Sequence, residues 1–377
     1  MCVMFQPAGL SRLYSCPIWP IGMSFGRRQR TLQQRGMARQ RRHDTEGRIM
    51  TKERVLSGMR SSGKPHLGNL LGALKNWVQL QETYECFYFI ADWHALTTGY
   101  ADTAQNREWV REIAMDYLSA GLDPDKSVLF IQSLVPEHAE LHLLLSMITP
   151  LPWLERVPTF REQQQEMADR DLATYGFLGY PLLQTADIIM YKAHWVPVGL
   201  DQVPHIELSR EVVRRFHHLY NVQIFPEPQP KLTEVPKLPG LDGRKMSKSY
   251  NNTIDLSDSP AVLTDKVKTM ITDPARKRRR DPGNPEVCPV FDLHRIYSTE
   301  AERQEVAQGC RTAGIGCIDC KGVLIRNMLT DLQPLHEKKA YYAAHPQEAI
   351  DVLVAGSEQA RTIARATMAE VRQAMHI

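Results

Sequence analysis

What most constrains this chain is a change of hydrophobic period between residues 54 and 91. Arg54 to Gly58 is a short apolar run of strand type. Leu67, Leu70, Leu71, Leu74, Trp77 and Val78 then recur at the spacing of a helix as far as Gln81, and Cys86 to Ala91 is a second continuous apolar run. The pattern repeats with a helix from about Thr103, a strand over Val128 to Ile131, a helix around Leu183 to Tyr191 and a strand over Trp195 to Val198. Strands that alternate with helices predict an α/β fold with a parallel sheet covered on both faces, where ligands bind beyond the carboxyl ends of the strands.

After Asn252 the strand-like runs give way to helical patterns that end in the long Ser357 to Met375 segment. This predicts two domains, an α/β domain over 50–252 and a helical one over 253–377. The proline-rich stretch Pro226 to Pro239 reads as a loop between the last strand and a glycine-hinged segment. Residues 1–49 have poor periodicity and read as a disordered extension, or as the product of a start codon placed too early with Met50 the true start. Their nine Arg against Asp44 and Glu46, with a basic tract at Arg39 to Arg42, also suit an organellar transit segment but not a secretory signal.

At 377 residues, 43% apolar and 24% charged, the chain can bury a full core. No stretch approaches the ~20 consecutive apolar residues of a spanning helix, which excludes a membrane-embedded body. The formal charge of +3 is concentrated in the first fifty residues, so the remainder is net acidic and any nucleic-acid surface must be local. The candidate is the run Arg276, Lys277, Arg278, Arg279 and Arg280. Of seven cysteines, Cys288, Cys310, Cys317 and Cys320 lie close in sequence. In a reducing compartment, clustered cysteines mean a metal more often than a disulfide, and these suit structural zinc or a [4Fe–4S] cluster.

The first turn, Gly58 to Pro65, nearly spells a phosphate-binding P-loop, but Pro65 stands where that loop needs a hydroxyl for Mg²⁺. The turn offers instead His66, Leu67, Gly68 and Asn69 at the start of a helix. A helix amino terminus favours anions, Gly68 admits a nucleotide to the backbone, and His66 and Asn69 add neutral donors on one face, although both also suit plain capping. Further on, Gly243 to Ser249 carries Lys245 and Lys248 with Ser247 and Ser249 on a glycine-hinged loop that could grip a triphosphate.

These two segments resemble the HIGH motif (His66 to Asn69) and the KMSKS motif (Lys245, Met246, Ser247, Lys248, Ser249) of class I aminoacyl-tRNA synthetases. The resemblance runs from about Val55 onward and is closest to the tryptophanyl branch, with support from Ala91 to Leu96, Tyr180 to Tyr191 and Val196 to Gln202. It implies a Rossmann-type catalytic domain followed by an all-α anticodon-binding domain. It also implies that the enzyme activates tryptophan with ATP and Mg²⁺ to tryptophanyl-adenylate and transfers it to tRNA(Trp). Catalysis then falls to His66, Asn69, Lys245 and Lys248. ATP contacts fall to Arg60, Ser61, Ser62, Gly68, Asn69, Gly199, Leu200, Asp201, Leu238 and the Lys245 to Ser249 segment. Asp187, Tyr180, Gln202 and His94 would hold tryptophan, with Asp187 accepting the indole N–H. Arg60 and Gln184 depart from the Gln and Met of the commonest bacterial form.

A branch of the family carries a similar four-cysteine pattern, which implies a [4Fe–4S] cluster here, and the basic run beside it would meet the tRNA. The resemblance further implies a cytoplasmic homodimer. Two other readings are a tyrosyl-tRNA synthetase and a non-catalytic RNA-binding paralogue, and the intact Lys245 to Ser249 argues against the second.

Overall fold

A computed structural model describes residues 52–158, 171–232 and 238–377. The expectations for residues 1–49 and for 233–237 of the proline-rich stretch fall outside the described residues. Among these, five parallel strands form one sheet in the order β3-β2-β1-β4-β5, where β1 is Arg54–Arg60, β2 Glu85–Ala91, β3 Ser127–Ile131, β4 Trp195–Val198 and β5 Gln229–Leu232. Successive residues of β2 serve opposite faces. Cys86, Tyr88 and Ile90 join one hydrophobic cluster, and Phe87, Phe89 and Ala91 join the other. A strand buried on both sides must be apolar at every position, which is why it reads as an unbroken run.

The first cluster is covered by α1 and α3. The helical run α1 comprises Leu67–Asn69, a π-helical turn Leu70–Leu74 and Lys75–Leu80, α2 is Asp92–Gly99, and α3 is Asn106–Ser119. Trp77 of α1 stacks on Tyr88 at 4.8 Å, and the Tyr88 hydroxyl donates to Trp77 O at 3.1 Å. The other face carries α4 (Glu137–Ser146), α5 (Leu151–Glu155), α6 (Tyr175–Met190) and α7 (Val203–Tyr220). The helix expected around Leu183 begins eight residues earlier, where the Thr174 side chain caps it by accepting from Phe177 N at 3.2 Å. Pro181 lies inside it, a residue that usually stops a helix because it has no N–H to donate.

The proline-rich stretch is not all loop. Gln229–Leu232 is the edge strand β5, with Val196 opposite Pro230. An edge position tolerates proline because one side of the strand makes no ladder bonds. From residue 260 onward only helices follow: α8 (Pro260–Thr269), α9 (Pro289–Tyr297), α10 (Glu300–Arg311), α11 (Cys317–Ala344) and α12 (Pro346–Met375), apart from one 3₁₀ turn. No helix among the described residues is long and apolar enough to cross a membrane.

The helix α12 returns to the sheet and lies against β3. A Cβ on Gly356 would sit 1.8 Å from Leu129 O, so only glycine permits the approach. Beside it, Ser357 Oγ accepts from Ile131 N at 3.1 Å. The β1–β4 neighbours mark the point where strand order reverses, and a crevice opens there at the carboxyl ends.

Candidate active site at the strand carboxyl ends

A cavity of about 390 Å³ occupies that crevice, lined by Gly58 and Arg60 from β1, His94 from α2, Asp187 from α6 and Gly199 and Gln202 after β4. Asp187 is 1% exposed. Its Oδ2 accepts from His94 Nε2 at 2.8 Å and its Oδ1 from His138 Nδ1 at 2.6 Å, while Gln132 Nε2 reaches both oxygens at 2.9 Å. His138 Nε2 in turn lies 2.7 Å from the Tyr191 hydroxyl, and Trp93 N donates to Gln132 Oε1, which turns the amide nitrogen toward the carboxylate. Burial alone pushes a carboxyl pKa up. Here the charge and hydrogen bonding of His138, and then of His94, outweigh burial and hold Asp187 at about 2. The sequence suggested a half-buried carboxylate, and the structure places it fully inside. Tyr180 also lines the cavity, its ring 5.5 Å from that of His205, and Gln202 donates to Asp201 Oδ2 at 2.8 Å.

The second half of the site is the α1 amino terminus. His66 Nδ1 accepts from Gly68 N at 3.0 Å, and Asn69 Oδ1 accepts from His66 N at 3.0 Å, a reciprocal cap. The capping expectation is met, and the cap occupies Nδ1 and leaves Nε2 to carry the proton. Burial, followed by the nearby Lys248 cation, lowers the His66 pKa to about 4, so its ring is neutral near pH 7.

Lys248 ties the second motif to the turn that precedes the first. Its Nζ donates to Gly63 O at 2.8 Å, at the turn where Gly63 adopts φ +109°. Burial, with repulsion from Arg60, lowers its pKa to about 8 against the opposing pull of Asp255 and Asp116. Lys245 and Ser62 are exposed, whereas Ser61 is 1% exposed. Arg60 donates to Thr98 Oγ1 at 2.6 Å. Leu200 is 78% exposed, and a Cβ on Gly199 would meet Asp201 Oδ1 at 2.6 Å. Leu238 and Met246 were expected against ATP, but both side chains lie in the hydrophobic core, where Met246 N donates to Leu238 O at 2.9 Å.

Sequence reasoning missed four residues. Gln132 and His138 reach Asp187 from elements far off in the sequence, and no local pattern reveals them, whereas Tyr191 ends the helix that carries Asp187 and bonds His138. The fourth is Asn252, 2% exposed, which holds the Lys245–Lys248 loop closed. Its Nδ2 donates to Asp242 Oδ1 at 2.6 Å and Lys245 O at 3.2 Å, and its Oδ1 accepts from Ser247 N at 2.8 Å.

A model of the class I tRNA synthetases (W and Y) matches residues 50–332. The chain belongs to this family. It is 54% identical to the tryptophan–tRNA ligase of Thermotoga maritima over 326 residues, covering 86% of this chain and 99% of that protein. It is 46% identical to the tryptophan–tRNA ligase of Ralstonia nicotianae over 395 residues, covering 86% and 99%. In structure it resembles the tryptophanyl-tRNA synthetase of Campylobacter jejuni complexed with ADP and tryptophan, with a TM-score of 0.78, 32% identity and coverage of 86% and 100%.

The helical part of this synthetase brings its four cysteines together. Cys288 caps α9, Cys310 lies on α10, and Cys317 and Cys320 lie in the first turn of α11. Burial and then the nearness of Cys288, Cys310 and Cys317 push the Cys320 thiol up to about 12. Among the described residues no set of three or more His, Cys, Asp or Glu is disposed to hold a metal ion. The basic run divides. Lys277, Arg278, Arg279 and Arg280 are exposed, but Arg276 is 8% exposed and donates to Arg279 O at 3.0 Å and Ile315 O at 2.7 Å, with Cys310 Sγ at 3.7 Å. The expectation that Arg276 contacts tRNA is therefore corrected, since the side chain is buried and both of its Nη atoms are bonded inside the protein.

Proposed function

We propose that this synthetase is a tryptophan–tRNA ligase. The observation that carries the reading is Asp187, an ionised carboxylate buried in the wall of the cavity with its oxygens fixed by His94, His138 and Gln132. A pocket built round such an acceptor selects an indole N–H over phenylalanine, which brings it no donor. Tyr180 and Gln202, which line the cavity, hold the amino acid's polar end in this reading. Gly199 and Asp201, beyond β4, suit the ribose.

In the first step a tryptophan carboxylate oxygen bonds to the α-phosphorus of ATP, supplied as its Mg²⁺ complex, while the bond to the bridging oxygen breaks and pyrophosphate leaves. Positioning and charge neutralisation dominate such a transfer. Lys248, anchored at Gly63, and Lys245 offset the charge on the departing pyrophosphate, and neutral His66 with Asn69 contacts the nucleotide. In the second step a ribose hydroxyl at the 3′ end of tRNA(Trp) attacks the acyl carbon and releases AMP. We divide the chain functionally into a catalytic part over 50–252 and an anticodon-binding part over 253–377. Lys277 to Arg280 is the surface for tRNA phosphates, and the enzyme works as a cytoplasmic homodimer.

For the cysteines we infer a [4Fe–4S] cluster held by Cys288, Cys310, Cys317 and Cys320. One observation supports it: Cys288, Cys310 and Cys317 lie near enough to Cys320 to raise its pKa. Arg276 at Cys310 Sγ would balance thiolate charge. Such a cluster would tie α9, α10 and α11 together. Iron and sulfide analysis of anaerobically purified protein, with absorbance near ~400 nm, tests it; bound zinc without iron overturns it.

The activity is tested by ATP–pyrophosphate exchange with each of the twenty amino acids. Exchange with tryptophan alone is expected. Exchange with tyrosine alone reassigns the pocket, and none from folded protein leaves a non-catalytic RNA-binding paralogue.

A further inference from the structure

The loop that carries Lys245 and Lys248 rests on walls supplied by the cysteine-bearing part of the chain. Gly243 has φ +78°, and a Cβ built there would lie 2.8 Å from Ile271 Cδ1 and 3.1 Å from Pro289 Cγ. Pro289 follows Cys288 and is the first residue of α9. Ile271 N donates to Leu241 O at 3.0 Å, so the segment after α8 is bonded to the loop as well as packed on it. That segment is held in turn by Lys321, the residue after Cys320. Its Nζ is buried and donates to Lys268 O at 2.6 Å and Met270 O at 2.5 Å. Two of the four cysteines are thus each followed directly by a buttress of the loop.

We propose that Pro289 and Lys321 are positioning residues for adenylate formation. Neither touches the cavity. Together they fix the seat of Gly243, and hence the place of Lys248 against Gly63. Because Pro289 packs on Gly243 and Ile271 N is bonded to Leu241 O, a shift of either is passed to the loop. The site at which the anticodon part packs its cysteines therefore sets how well the catalytic part grips the triphosphate, before any tRNA binds. This rests on the reading of Lys245 to Ser249 as the ATP loop.

The test uses full-length protein without tRNA and the variants Pro289→Ala, Lys321→Met and Lys321→Arg. Exchange kinetics give KM for ATP and for tryptophan separately, and tryptic cleavage at Arg244, Lys245 and Lys248, mapped by mass spectrometry with and without ATP, reads loop order directly. Pro289→Ala and Lys321→Met should raise the ATP KM about fivefold or more, leave the tryptophan KM within about twofold, and speed loop cleavage, with Lys321→Arg largely restored. Equal rises in both KM values with unchanged loop cleavage would show general loosening and overturn the proposal, as would no change in either readout. If the wild type lacks tryptophan-dependent exchange, the functional reading fails separately, and unchanged cleavage in the variants still overturns the buttress.

Discussion

His138 Nδ1 lies 2.6 Å from Asp187 Oδ1, and the other nitrogen of the same ring lies 2.7 Å from the Tyr191 hydroxyl. The ring is fully buried, so every polar atom on it is committed and its orientation is fixed before a ligand arrives. This makes Asp187 a preset acceptor.

Replacing Asp187 by Ala removes the proposed partner of the indole N–H and leaves three donors facing a void. The specificity constant for tryptophan should fall by about a hundredfold or more, with ATP affinity nearly unchanged. Exchange kinetics and ATP equilibrium dialysis check both halves. Unaltered tryptophan kinetics would remove the pocket assignment. The same carboxylate has a linkage signature. Its folded pKa, about 2, lies below the ordinary carboxyl value, so it contributes stability that is full above that ordinary value and is lost as pH falls toward 2. Asp187→Asn should flatten this acid limb in denaturant titrations.

Lys248 titrates at about 8, within reach of experiment. The Lys248 cation proposed to grip the triphosphate is lost as pH rises through that value, so kcat/KM for ATP should decline above pH 8. Lys248→Arg, which stays charged, should lower the plateau and remove the decline. A wild-type profile flat to pH 10 would exclude Lys248 as the charged group.

Gly356→Ala forces a methyl into Leu129 O, a main-chain atom that cannot turn aside. A loss of about 2–4 kcal/mol in unfolding free energy is expected from such overpacking. Chemical denaturation measures it, and a wild-type midpoint would show that α12 can lift off the strand at little cost.

The basic run should behave as two kinds of residue. Neutralising Lys277, Arg278, Arg279 or Arg280 should weaken tRNA binding and reduce the slope of log K against log salt by about one for each phosphate that no longer meets a cation. Arg276→Ala should instead lower the melting temperature with little change of slope. Filter binding across a salt series separates the two.

The strands β1 to β4 were legible because each is short, apolar and bounded by helical periodicity. β5 was not, since three prolines within five residues, at 226, 228 and 230, read as loop and nothing local announces an edge. His66 and Asn69 were found as a motif, and the structure shows them as a reciprocal cap of the helix. His138 stayed hidden because it meets Asp187 only through the tertiary packing of α4 on α6, and the part of Tyr191, four residues after Asp187, shows only once His138 is in place. Arg276 was misjudged for a similar reason, as a basic run shows which side chains are charged but not which one turns inward.

The seating of Ser357 on Ile131 spans 226 residues of sequence. At ribosomal speeds of about 5–20 residues per second, the β3 edge is made roughly ten to forty-five seconds before the helix that seals it emerges. A nascent chain holds a naked strand edge throughout that interval, which is a template for pairing with another unfinished copy. Chaperone demand during synthesis should therefore peak after the sheet is complete and end with the arrival of α12.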